Sequence, residues 1–82
     1  MTLELFHRLA EPDSAAARLL VAELGLLEAV TFRNLAFESH AADFSARGGG
    51  RTPALWDGAR LHEGRSAVRA ALATVATARK GP

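Results

Sequence analysis

The chain has 82 residues, of which 49% are hydrophobic and 23% are charged, a composition typical of one globular domain rather than a disordered segment. Ten basic residues are balanced by nine acidic ones and the charges are interspersed, so binding to nucleic acid is not expected. The lack of cysteine excludes disulfides, thiolate metal sites and a thiol nucleophile. Neither a secretory signal nor an apolar run of about 18 residues is found, so we expect a cytoplasmic protein without a membrane partner.

The beginning of the chain predicts a strand followed by a helix. Residues 2–8, "TLELFHR", carry apolar side chains toward both faces, which is typical of a strand covered by helices on both sides. A helix is expected over residues 12–24, because proline suits the first helical position and Asp13 and Ser14 suit the first turn. Gly25 is expected to end this helix. Its buried stripe is predicted to contain Ala17, Leu20, Val21 and Leu24.

The middle of the chain predicts a second strand and a short helix. Residues 28–37, "EAVTFRNLAF", are rich in strand formers. A strand–helix–strand unit of this length is expected to close as a right-handed parallel crossover. The segment "SHAADFSARGGG" then predicts a helix that begins at Ser39 and ends in three glycines. Its expected core contacts are Ala42, Phe44 and Ala46.

The last third predicts a hairpin and a final helix. In "PALWDGARLHE", two short apolar runs flank Asp57-Gly58, the dipeptide that supplies a positive φ at both centres of a two-residue turn. "RSAVRAALATVATARK" predicts an alanine-rich helix, with residues 78–82 as a flexible tail. Its buried side is expected to contain Val68, Ala71, Leu72 and Val75. The sequence therefore predicts a single α/β domain over residues 1–82, with the order β-α-β-α-β-β-α and a four-stranded mixed sheet flanked by helices.

Three segments carry a resemblance to a known fold. The first segment, "LELFHRLAEPDSAAARLLVAELGL", looks like a strand, a loop of the C-P-x-C type and a first helix, but without the cysteines. The four motif positions are taken by Glu11, Pro12, Asp13 and Ser14. The second segment, "GGGRTPALWDG", looks like the approach to a cis-proline strand, with Thr52-Pro53 as the cis-proline dipeptide. The third segment, "LHEGRSAV", is similar to a helix start that binds the γ-glutamyl carboxylate of glutathione. Together they resemble the thioredoxin fold, and within it the glutaredoxins and the N-terminal domains of glutathione transferases.

The resemblance implies a ligand groove without redox chemistry. Relatives place a cysteine thiolate at the N-terminus of the first helix, where the helix dipole favours an anion. Glu11 stands at that position, and since a carboxylate cannot exchange disulfides, no thiol–disulfide oxidoreductase activity is expected. The implied ligand is glutathione or a thiol-bearing peptide, with no other cofactor and no metal. The residues implied to bind it are Glu11, Pro12, Asp13, Ser14, Arg51, Thr52, Pro53, Glu63, Gly64, Arg65 and Ser66.

Two functions stay open on the sequence alone. The first is a binding or interaction module that uses this groove for glutathione or a peptide, and a protein partner or a homodimer also stays open. The second is a transferase-like, glutathione-dependent activity in which Ser14 and the start of the first helix activate the thiol, although the charge of Glu11 would raise the pKa of that thiol. Two roles stay open for Glu11: its carboxylate caps the first amides of the helix, or it points into water.

Other conspicuous residues are expected to be structural. His7, His40 and His62 lie on three different elements without the spacing of metal ligands, and His7 is expected to be a partly exposed strand residue. Trp56 is expected to pack on the sheet edge beside the hairpin turn. The "GGGR" segment leads into a strand rather than a helix, so it predicts a flexible connector and not a phosphate-binding loop.

Overall fold

The structure is a computed structural model that describes residues 2–80. Within these residues the elements follow the expected order, with four strands and three helices. The strands are β1 (Leu3–His7), β2 (Val30–Asn34), β3 (Ala54–Trp56) and β4 (Leu61–Glu63), and the helices are α1 (Pro12–Glu23), α2 (Glu38–Ala46) and α3 (Arg65–Lys80).

The four strands form one mixed sheet in the order β2-β1-β3-β4. Strand β1 runs parallel to β2, with Leu3 opposite Val30, and antiparallel to β3, with Phe6 opposite Ala54. The parallel pairing of β1 and β2 that the sequence predicts is confirmed. Because β3 runs against β1, the start of β3 lies beside the end of β1 and therefore beside the loop that leads into α1. This arrangement positions the candidate site.

Alternate residues of the strands supply two hydrophobic clusters, one on each face of the sheet. The larger cluster joins β1, β2 and β3 to α1 and α3, and both helices bury their predicted stripes in or against it. Its buried members are Leu3, Leu5, Ala17, Val21, Leu26, Val30, Leu55, Val68, Leu72 and Ala76. The smaller cluster, on the side of α2, consists of Phe6, Leu35, Phe44 and Ala54.

Helix α2 contributes less to the core than the sequence predicted. Phe44 is buried and its ring centre lies 5.1 Å from that of Phe6. Ala42 and Ala46 are exposed, so these two expected core contacts are wrong. The nine-residue helix covers only part of its face of the sheet, and a group of paired charges covers another part.

The paired charges were not predicted. Glu4 alternates with apolar residues on β1 and is buried on the α2 side, where its carboxylate accepts hydrogen bonds from Arg33 and Arg47. Arg33 also pairs with Asp43 of α2. The guanidinium of Arg47 lies 4.6 Å from the centre of the Trp56 ring, so this ring packs against a cation at the sheet. A buried carboxylate is tolerated here because it has two cationic partners.

The hairpin between β3 and β4 forms as predicted, but its turn does not. Four residues, 57–60, connect the strands, and only Gly58 has a positive φ, so the expected two-residue turn is wrong. The reason is the Asp57 side chain, which accepts the N–H groups of Ala59 and Arg60 and thereby builds a longer turn. The hydrogen bond from His62, with these two amides, holds the pKa of Asp57 well below its usual range.

Two further differences concern the ends of elements and the environment of His7. Helix α3 continues through Lys80, so residues 78–80 of the expected tail are helical, while residues 81 and 82 lie outside the described residues. His7 is buried rather than partly exposed.

Within residues 2–80, none of the helices combines the length and the apolar character needed to cross a bilayer.

Candidate functional site

Glu11 is the residue that leads into α1. Its backbone is extended, and Pro12 occupies the first helical position as predicted. Its carbonyl accepts the N–H of Ala15 at 3.0 Å, and its own N–H donates to the carbonyl of Arg8 at 3.2 Å. The carboxylate makes no capping hydrogen bond with the first amides of the helix. Capping, the first of the two roles left open for Glu11, is therefore wrong.

The carboxylate instead joins α1 to the segment that precedes β3. Its Oε1 atom accepts the hydroxyl of Ser14 at 2.6 Å, and its Oε2 atom accepts the hydroxyl of Thr52 at 3.0 Å. We term Glu11, Ser14 and Thr52 the Glu11 bridge. The Thr52–Pro53 peptide bond is cis and Pro53 is fully buried. Glu11 thus lies directly beside the cis-proline segment rather than pointing into water.

Ser14 is the innermost member of the Glu11 bridge. Its side chain is fully buried, and its hydroxyl donates to Glu11 while accepting the N–H of Arg8 at 3.1 Å. The hydroxyl hydrogen is therefore used within the chain. This geometry serves to fix the first turn of α1 against the end of β1.

An open cleft of about 460 Å³ lies at the N-terminus of α3, a volume within the range of small-ligand sites. We term it the α3 cleft. Its lining residues are Asp13, Arg51, Glu63, Gly64, Arg65, Ser66 and Ala67. All of them except Ala67 are residues that the resemblance implied, so the fold brings together six positions from three separate segments of the chain.

The α3 cleft contains charges of both signs. The guanidinium of Arg65 lies 3.6 Å from the carboxylate of Asp13, and the two side chains are 63% and 54% exposed. An exposed pair at this distance is weak, so both groups are available to a ligand. The guanidinium of Arg51 lies over Gly64, and the first turn of α3 adds N–H groups without helical partners and the positive end of the helix dipole.

Glu63 and Gly64 hold the wall of the α3 cleft in place. The Oε1 atom of Glu63 accepts the N–H groups of Gly50 at 2.8 Å and Arg51 at 2.9 Å. The N–H of Gly64 donates to the carbonyl of Pro53 at 2.8 Å, and the φ of Gly64 is +91°, a conformation that favours glycine. These bonds attach the start of α3 to the connector and to the cis-proline segment.

A second polar contact involves Arg8, the residue whose N–H donates to Ser14 of the Glu11 bridge. The Nη1 atom of Arg18 donates to Nδ1 of His7 at 3.0 Å and to the carbonyl of Arg8 at 3.4 Å. Burial, together with the nearby Arg18 guanidinium, lowers the pKa of His7, which keeps the ring neutral and able to accept this bond. Sequence reasoning missed the pair, because only the packing of α1 on β1 brings the two side chains together.

The implied site residues therefore fall into two neighbouring groups. Ser14 and Thr52 both donate to Glu11, whereas six others line the open cleft. Of the remaining two, Pro12 is the first residue of α1, and the carbonyl of Pro53 accepts the N–H of Gly64. Among residues 2–80, no group of three His, Asp or Glu side chains is arranged to hold a metal ion. No match was found when the chain was compared with models of protein families, with curated proteins and with solved structures.

Proposed function

We propose that the protein is a redox-inactive binding module with a thioredoxin-like, glutaredoxin-like fold, and that it takes the γ-glutamyl end of glutathione in the α3 cleft. This proposal rests on one observation. Asp13, Arg51 and Arg65 lie together with the first amides of α3 in one open cleft. The element order, the parallel β1–β2 pair and the cis bond before Pro53 support the choice of fold.

The charges of the α3 cleft match a zwitterionic ligand. The γ-glutamyl end of glutathione carries an ammonium group and a carboxylate on the same carbon atom. Arg65 and the first amides of α3 offer partners for the carboxylate, and Asp13 offers a partner for the ammonium group. Binding would replace one exposed ion pair, Asp13 with Arg65, by two charge-assisted contacts to the ligand.

The Glu11 bridge explains why binding would occur without thiol chemistry. The start of α1 is where a thiolate would be stabilised, and the chain places a carboxylate there whose two oxygens accept hydroxyl hydrogens from Ser14 and Thr52. A second negative charge beside it is disfavoured, so the ligand thiol would stay protonated and outside this position. With no cysteine in the chain, no mixed disulfide forms either.

The transferase-like alternative depends on the Ser14 hydroxyl reaching the thiol of the ligand. That hydroxyl is fully buried and already donates its hydrogen to Glu11. No feature of the site favours this alternative, and a binding module is the function we propose.

An amide-shift titration with reduced glutathione tests the proposal. We expect shifts to cluster at Asp13, Arg51 and residues 63–67. S-methylglutathione, which has no free thiol, is expected to give the same shifts and the same dissociation constant, because the thiol is not engaged. A spectrum that stays unchanged at millimolar glutathione would contradict the proposal.

Two arginines of α3 provide a matched control. Arg65 lines the α3 cleft, whereas Arg69 lies about one turn further along the helix, outside it. R65A is expected to weaken glutathione binding by about threefold to tenfold, and R69A to leave it unchanged. Equal weakening by the two variants would show a general attraction between charges and not a defined site.

A further inference from the structure

Strand β2 is an edge strand surrounded by exposed apolar side chains. The sheet order leaves one side of β2 unpaired. Three of the large hydrophobic side chains that are exposed within residues 2–80 lie on β2 or three residues from its ends. They are Leu27 before the strand, Phe32 at its centre and Phe37 after it. The strand has no proline and no bulge, two of the devices that protect a free edge, and its one charged residue, Arg33, is paired with Glu4 of its own chain.

The backbone groups of β2 alternate between β1 and the free edge. Leu35, directly after the strand, donates its N–H to the carbonyl of His7 at 3.0 Å. Since alternate residues of a strand bond to the same neighbour, the N–H and C=O groups of Thr31 and Arg33 also point to β1. The residues whose backbone groups point to the free edge are Val30, Phe32 and Asn34.

Some of these outward groups already have partners within the chain. The N–H of Val30 donates to the carbonyl of Leu26 at 3.0 Å, and the carbonyl of Asn34 accepts the N–H of Phe37 at 3.1 Å. Four groups remain, and no partner for them is found among residues 2–80. They are the C=O of Val30, the N–H and C=O of Phe32, and the N–H of Asn34.

These four groups are self-complementary about a two-fold axis at Phe32. In an antiparallel pair centred there, the two copies of Phe32 exchange both of their hydrogen bonds. The N–H of Asn34 in each copy meets the C=O of Val30 in the other, so all four groups find a partner. Leu27 lies in the turn before the strand and Phe37 in the turn after it, so the antiparallel arrangement places the strand end that carries Leu27 in one copy beside the end that carries Phe37 in the other.

The charges around β2 permit this pairing. The one charged residue of the strand, Arg33, is held by Glu4 of its own chain and would stand opposite Thr31 of the second copy. Within the strand, no two like charges face each other across the axis, so no like-charge pair opposes this pairing.

We propose that β2 is the interface of a two-fold symmetric homodimer, in which two sheets join edge to edge. The other free edge, β4, has only three residues, and pairing of β2 with β4 would be heterologous and would extend into open fibres. The two-fold pairing closes on itself and leaves the α3 cleft, near the opposite edge of the sheet, uncovered.

Sedimentation equilibrium of the full chain over a range of concentrations tests this proposal. We expect a monomer–dimer equilibrium, and F32K should raise the dimer dissociation constant by about tenfold or more, because it removes the central aromatic contact and opposes two charges. The matched control is L19K, an equally non-conservative change at an exposed leucine of α1. If F32K lowers the stability of the fold, F32T serves as the second variant. It removes the same aromatic contact but keeps a strand-forming residue.

Cross-linking tests the register of the dimer. The chain has no cysteine, so F32C carries one thiol, and an antiparallel hydrogen-bonded pair places the two Cα atoms about 5.5 Å apart, within the reach of a disulfide. With copper–phenanthroline as oxidant, F32C should give a covalent dimer and L19C should not. A monomer at every concentration, a dimer that F32K and F32T leave intact, or equal cross-linking of the two cysteine variants would overturn the proposal.

Discussion

In the Glu11 bridge, both carboxylate oxygens accept hydroxyl hydrogens from the chain itself, and the Ser14 hydroxyl is fully buried. In the neighbouring α3 cleft, Asp13 and Arg65 form only an exposed pair at 3.6 Å, and the first amides of the helix have no helical partners. The hydrogen-bonding groups of the Glu11 bridge have their partners within the chain, whereas the α3 cleft presents polar groups that can bind a ligand.

The direction of a glutamate side chain accounts for the difference. Glu11 and Glu63 each stand just before a helix, α1 and α3 respectively. The carboxylate of Glu11 lies across the start of α1 and bonds the cis-proline segment, which closes that position. Glu63 bonds the connector amides of Gly50 and Arg51 instead, so the start of α3 is left open to a ligand. Removing the polar groups of the Glu11 bridge should therefore lower stability without affecting ligand binding, whereas removing those that line the α3 cleft should weaken ligand binding.

The largest expected effect is on the connector that forms the wall of the α3 cleft. A Cβ atom at Gly49 would lie 2.3 to 2.5 Å from atoms of the buried Phe44 ring. We expect G49A to lower the free energy of unfolding in urea by about 3 kcal/mol, because the core there is overpacked. Glutathione binding should weaken as well, since the displaced connector carries the amides that hold Glu63.

Gly50 provides the control for this prediction. A Cβ atom at Gly50 would meet nothing within 4 Å, so G50A should change the free energy of unfolding little. Equal losses in G49A and G50A would mean that flexibility of the connector, and not its contact with Phe44, determines its stability.

A smaller effect is expected in the Glu11 bridge. E11A should lower the free energy of unfolding by about 2 kcal/mol, because the buried Ser14 hydroxyl loses its acceptor. In the S14A background the same change should cost less, with a coupling of about 1 kcal/mol in a double-mutant cycle measured by urea denaturation. E11A should not weaken glutathione binding. Additive effects of the two changes, or loss of binding in E11A, would contradict the separation of the two regions.

Local patterns predicted the elements of this fold well. Pro12 and Gly25 mark the ends of the first helix, and the apolar spacing between them identifies the buried stripe. The crossover was predictable because a strand, a helix and a strand of this length close in parallel. The turn at Asp57 was mispredicted because its side chain competes with the backbone for the turn amides.

The candidate site was predictable only in part. The residues of the α3 cleft lie in short segments for which the resemblance implied a binding role, and the fold brings these segments together. The Glu11 bridge joins residues 41 positions apart, and the bond that Arg47 donates to Glu4 joins residues 43 positions apart. No local spacing rule reports such contacts, since they depend on which strands become neighbours in the sheet.

The central claim is that the carboxylate of Glu11 occupies a thiolate position next to a glutathione cleft, and replacing it by cysteine tests this most directly. The E11C thiolate would attack one sulfur of glutathione disulfide, form a mixed disulfide and release glutathione, and mass spectrometry follows the reaction of the single thiol. We predict that E11C reacts about tenfold or more faster than L19C, whose thiol is exposed on α1, because the helix start stabilises the thiolate and the cleft binds the glutathione moiety. Equal rates for E11C and L19C would contradict the account.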